Sequence, residues 1–189
     1  PAMPSGGYNR DIPSKESPLE AKKGIMGIPV SLEQFRQGMA MFATGVTVVS
    51  TLQPDGIVHG MTANAFTSVC LDPPLILVSI GHQRNTYGNV QARGRFGINI
   101  LSVTQEPIAR YYSLEEKGQA EALDVPWQLN GETSPRLKDA LVFMECRVVA
   151  EYSHGDHTIF VAEVEHMAIQ AGRPLLFFEG YLADANKSI

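Results

Sequence analysis

Apolar positions in this chain of 189 residues first recur at helical spacing, then crowd into short β-branched runs. Phe35, Met39 and Phe42 follow Ser31, with Gln34 placed as the second half of a capping box, so a helix is predicted from Ser31 to about Thr44-Gly45. From Val46 the pattern turns to β. A strand over 46–52 ends at the turn residues Pro54-Asp55-Gly56, and 57–61 returns as its hairpin partner. Residues 65–70 and 75–80 read as two further strands, parted by Asp72-Pro73-Pro74. A short helix over 86–92 precedes a buried strand over 96–101, and 104–113 suits another short helix. The stretch to Leu137, which carries the single tryptophan Trp127, reads as loop. A long hairpin, 140–151 and 158–167, turns around Ser153-His154-Gly155-Asp156, and 175–182 supplies a last strand.

Short strands joined by hairpin turns, with a few small helices, predict a mainly β fold: a closed or partly open antiparallel barrel. The βα alternation of a doubly wound sheet is missing, as is any Gly-x-Gly-x-x-Gly turn. Residues 1–30, with Pro4, Pro13, Pro18 and Pro29 and no periodic apolar face, are expected to form a flexible arm ahead of one domain over 31–189.

Composition narrows the partners. Apolar residues make up 44% and charged residues 19%, enough for a full core. A net charge of -5 argues against nucleic acid, which needs a concentrated basic face. No apolar run approaches the roughly 18–20 residues that span a bilayer, and the N-terminal residues lack a basic-then-apolar signal pattern. Cys70 and Cys146 lie in apolar stretches and are expected to be buried free thiols, which places the chain in a reducing cytoplasm.

Three segments could carry chemistry. Gly60-Met61-Thr62-Ala63-Asn64-Ala65-Phe66-Thr67-Ser68 concentrates small and hydroxyl side chains where two strands meet. Free backbone groups there could edge a flat heteroaromatic ring, or the segment is a tight connection with polar residues capping strand ends. Ser79-Ile80-Gly81-His82-Gln83-Arg84-Asn85-Thr86 runs from a strand into a helix start, which suits a phosphate or simple capping by Asn85 or Thr86. In His154-Gly155-Asp156-His157 a metal pair is rejected because no further ligands accompany the histidines; a plain hairpin turn and a pocket-mouth His157 both remain. No Gly-x-Ser-x-Gly, no Ser-x-x-Lys with a base and no Walker loop occurs, so an enzyme built this way relies on a cofactor.

In order along the chain, 42–51 (FATGVTVVST), 61–69 (MTANAFTSV), 71–75 (LDPPL), 94–101 (GRFGINIL), Gly155-Asp156-His157 and 174–178 (PLLFF) together resemble the flavin reductase family over residues 31–182. The resemblance implies an FMN-binding split β-barrel, antiparallel and Greek-key-like, usually a homodimer with the flavin near the subunit interface. It implies oxidoreductase activity on FMN or FAD with NADH or NADPH, often as the small component supplying a separate aromatic-hydroxylating monooxygenase. By position, Thr62, Ala63, Asn64 and Ala65 would edge the isoalloxazine, with Thr67 and Ser68 nearby. Ser79, Asn85 and Thr86 would lie toward the ribityl phosphate. His157 would contact the nicotinamide nucleotide, with Phe177, Phe178 and Gly180 lining the same mouth. Cys70, Asn85 and Glu179 depart from the family pattern; Glu179 stands where some relatives have Arg, which leaves nucleotide selectivity open. The alternatives are a non-catalytic flavin-sensing module and another split-barrel flavin oxidase, though residues 79–86 are poor in basic side chains for the latter's phosphate site.

Overall fold

A computed structural model describes residues 29–114, 123–129 and 134–184, so the expected N-terminal arm falls outside it apart from Pro29 and Val30. Helix α1 spans Leu32–Ala40. Its capping box forms as expected: the Gln34 amide donates to Ser31 Oγ at 3.1 Å, and the Ser31 amide donates to Gln34 Oε1 at 3.0 Å. The apolar face, however, is left largely uncovered by the described residues. Phe35, Met39 and Phe42 are 60%, 53% and 67% exposed, and no residue of α1 is buried. Helical spacing reveals a face that wants cover without saying which molecule provides it.

The strands are β1 (Thr44–Gly45), β2 (Thr47–Leu52), β3 (Val58–Ala63), β4 (Phe66–Leu71) and β5 (Pro74–Gly81). Helix α2 (Asn85–Arg93) and strand β6 (Arg95–Ile100) follow, then a 3-10 turn (Val103–Gln105) leading into α3 (Glu106–Ser113). The remaining strands are β7 (Trp127–Gln128), β8 (Arg136–Leu137), β9 (Val142–His154), β10 (His157–Ile169), β11 (Leu175–Phe178) and β12 (Tyr181–Asp184). Three expectations change here. The first helix stops at Ala40, four residues short of the expected Thr44-Gly45 end, and those two residues form β1 against β11. The predicted loop around Trp127 contains the small pair β7–β8, and the predicted last strand is a hairpin, β11–β12. Its turn residues Glu179 and Gly180 both have positive φ, 49° and 84°, as a tight hairpin requires. Glu179 is an unusual residue for that conformation, which is why the break was not legible.

Seven strands form one antiparallel sheet in the order β3-β2-β6-β9-β10-β5-β4. Laid flat, six spacings of about 4.8 Å would put β3 and β4 roughly 29 Å apart. Yet only Asn64 and Ala65 join them, and three Cα steps reach at most about 11 Å. The sheet must therefore roll until its two ends meet. The core confirms the roll: Val49, Met61 and Ala63 share one buried cluster with Ile76, Val78, Ile80, Phe96 and Phe160. A second cluster on the outside packs α3 (Ala109, Tyr112) against Val46, Val48, Leu101, Leu137 and Leu175. Buried Asn99 fixes this layer, donating to Val48 O and Ser50 Oγ while accepting from the Leu137 amide.

The cysteines split. Cys146 is buried, and desolvation pushes its thiol up to about 12. Cys70 is exposed, against expectation, because β4 is a terminal strand of the sheet and Thr67 through Leu71 are all open. Among the described residues, no helix is long and apolar enough to cross a membrane.

Candidate functional site

The seam where the sheet ends meet is also where the candidate residues gather. At the corner, Asn64 O accepts from the Phe66 amide at 2.9 Å and Ala65 O accepts from the Ser79 amide at 3.0 Å. These bonds tie β4 and β5 to the link but use only its carbonyls. The Asn64 and Ala65 amides find no acceptor among the described residues, and the exposed Asn64 side chain is likewise unengaged there. Two exposed backbone donors are thus left without an acceptor among the described residues, on the link that joins the two ends of the sheet.

Two clefts flank this corner and run into each other. The first, about 270 Å³, is lined by Met61, Thr62, Ala63, Asn64, Ala65, Ser79, Gly81, Gln83, Arg84, Ser113 and His157. The second, about 220 Å³, is lined by Val46, Thr62, Asn64, Ala109, Arg110, Ser113, Phe177, Gly180 and Leu182. Thr62, Asn64 and Ser113 line both, so the pair forms one elongated trough with α3 as its wall. The structure thus brings Thr62, Ala63, Asn64, Ala65, Ser79 and His157 into one lobe and Phe177 and Gly180 into the other; His157 and Phe177 line adjoining lobes rather than one mouth.

Five expected residues line neither lobe. Thr67 and Ser68 lie on the open edge strand past the corner, and Phe178 follows Phe177 on the opposite face of β11. Asn85 and Thr86 begin α2, but neither caps it: the cap position is Arg84, with no side-chain cap bond. Thr86 is fully buried, and its Oγ1 has no partner in the described structure.

Cations and a histidine set the electrostatics. The Arg84 guanidinium makes one long bond, Nη2 to Tyr112 O at 3.4 Å, and meets no carboxylate among the described residues. A half-buried cation of this kind at a helix start suits an anionic ligand. Arg110 is instead satisfied by Glu106, one turn earlier on α3, at 2.7 and 2.8 Å. His157 Nδ1 pairs with Asp156 Oδ1 at 2.7 Å, and that bond lowers the Asp156 carboxyl below its ordinary pKa. The other edge of the ring, at Nε2, closes over Gly81, where an added Cβ would sit 3.4 Å away. The hairpin tip carrying His157 is pinned to the 81–84 loop, since the His82 amide donates to Asp156 O at 2.9 Å and His82 Nε2 bonds Thr158 Oγ1 at 3.0 Å.

Sequence reasoning missed Arg84 as a lining residue and all of α3's contribution: Ala109, Arg110 and Ser113. Arg84 sat within a quoted segment; α3 carried no signal beyond helical spacing. No lining serine bonds His157, and the described residues hold no group of three metal-ligating side chains.

Among the described residues, an elongated trough at the seam of a rolled antiparallel sheet, with unengaged amides, a guanidinium that meets no carboxylate and no serine bonded to His157, suits a flat ligand that brings its own chemistry. The chain belongs to the flavin reductase like domain family, which its residues 39–185 match. Over 147 residues it is 42% identical to an NADH-dependent flavin reductase of a Rhodococcus species, covering 77% of this chain and 81% of that protein. It is 35% identical over 152 residues to the reductase component of a 4-nitrophenol 4-monooxygenase/4-nitrocatechol 2-monooxygenase from Rhodococcus opacus, covering 80% of each. The solved structure of flavin reductase PheA2 in its native state superposes with a TM-score of 0.76 at 41% identity, over 83% of this chain and 99% of that one.

Proposed function

We propose that this chain is an NADH-dependent flavin reductase that holds FMN or FAD along the seam trough and supplies the reduced flavin to a separate monooxygenase. The observation that carries the reading is the corner itself: unengaged amides at Asn64 and Ala65, beside the Asn64 side chain and Ser79, form a polar edge. A ring system with alternating donors and acceptors matches such an edge. Arg84 and the start of α2, with the orphan Thr86 hydroxyl beneath, would hold the phosphate. His157, oriented by Asp156, would hold the nicotinamide end of NADH, and the Phe177 and Gly180 lobe would take the rest of the nucleotide. Glu179, next to Gly180, offers no cation for a 2′-phosphate, which agrees with the NADH-dependent relative.

When bound, the flavin would supply the redox chemistry, its reduction by the nicotinamide of NADH. The chain's residues supply alignment and exclusion of water; no side-chain acid or base is required. The proposal includes a homodimer. A nine-residue helix that buries nothing is marginal by itself, and Leu71 on the open edge strand is 92% exposed. A second copy covering α1 and β4 would also bring Thr67 and Ser68 into an interface beside the trough.

Mixing protein, FMN or FAD, and NADH while following the nicotinamide absorbance band tests the function. Sustained NADH oxidation is expected with either flavin. A flavin spectral shift without turnover would instead identify a sensing module.

A further inference from the structure

Thr62 borders both lobes, but its hydroxyl is already committed. Oγ1 donates to Ala109 O at 2.7 Å, across from β3 to α3. α3 is the trough's wall, contributing Ala109, Arg110 and Ser113 to the lining. The same interface has a close packing contact two residues earlier on the strand: a Cβ on Gly60 would meet the Tyr112 ring at 2.9 Å. The far side of that ring is held too, because Trp127 Nε1 donates to Tyr112 Oη at 3.0 Å. α3 is short, eight residues, and Thr62 makes the side-chain hydrogen bond from β3 to its backbone beside the ligand space.

We infer that Thr62 is a positioning residue: by donating to Ala109 O it sets the separation of β3 and α3, and hence the trough width that the flavin meets. This rests on the proposed flavin reading, yet its first test needs no flavin. In Thr62→Val the volume stays and the donor goes; in Thr62→Ser the donor stays. Backbone amides of residues 109–113 in the flavin-free protein should exchange about tenfold faster in Thr62→Val than in wild type, with Thr62→Ser close to wild type. Trp127 emission, through Tyr112, should shift in the same variant alone. FMN titration should then show about tenfold weaker binding for Thr62→Val, restored by Thr62→Ser.

Unchanged exchange in Thr62→Val together with weakened FMN binding would overturn the inference and make Thr62 a direct flavin contact. Unchanged exchange with unchanged binding would overturn it as well. Failure of wild type to bind FMN would sink the functional reading, while the exchange comparison still decides the role of Thr62. Should Thr62→Val not fold, Thr62→Ala carries the same expectations.

Discussion

His157 is placed by neighbours rather than by burial. Its side chain is 49% exposed, with Nδ1 on Asp156 and the ring closing over Gly81. Truncation should therefore leave the fold intact and report on ligand contact. We expect His157→Ala to raise the KM for NADH about tenfold with FMN affinity within about twofold of wild type, read from steady-state kinetics and FMN titration. Equal losses of both would move His157 onto the flavin. The turn at Gly155-Asp156-His157 was legible inside a long β hairpin, but it left the role of His157 open, and only the family resemblance pointed to a nucleotide contact. The lining position of Arg84 was not legible, because it depends on the last turn of α3, where Tyr112 O accepts from Arg84 Nη2, and no local pattern places that turn beside it. Cys70 was misread for a related reason: a run such as Phe66–Leu71 has the same apolar content in a core strand and at an uncovered sheet edge, and only topology separates them.

Among the elements, the packing of α3 on β3 has a single steric key, Gly60. Gly60→Ala would press a methyl against Tyr112 ring atoms 2.9 Å away, inside a core layer that also holds Val46, Leu101 and Leu137. Destabilisation of about 1–3 kcal/mol is expected, measured by the urea midpoint, because the ring is buried in that cluster and tethered through its hydroxyl to Trp127. An unchanged midpoint would mean that the wall yields freely. The strands of the main sheet were read within a few residues of their ends, since β-branched runs between Pro, Gly and Asp are strong signals. Two-residue elements such as β7 and β8 carry too little sequence to leave a period. The β11–β12 turn escaped because the first of its two left-handed residues is Glu179, which leaves Gly180 as its lone turn signal. The start of helix α1 and its capping box were read correctly, but the helix ends at Ala40 rather than near Thr44-Gly45, which form β1 instead.

For the molecule as a whole, the sequence pattern pointed to an antiparallel rolled sheet, and the family resemblance supplied the flavin. Of the trough's second lobe, the resemblance named Phe177 and Gly180 but not Val46, α3 or Leu182, which lie far apart along the chain and meet only after folding. The Asn64-Ala65 link has a further consequence. Because the outermost strands of the sheet are consecutive in sequence yet six strands apart in the sheet, whatever grips that link acts as a clasp on the cylinder. FMN at a hundred times its Kd should then add about 2.7 kcal/mol of resistance to unfolding, a Tm rise of roughly 5–10 °C. The gain in amide protection should appear on β3 and β4 together, ahead of β9 at the far side of the circumference. A protein fastened at its ligand would thus loosen its own hoop each time it gives the reduced dye away.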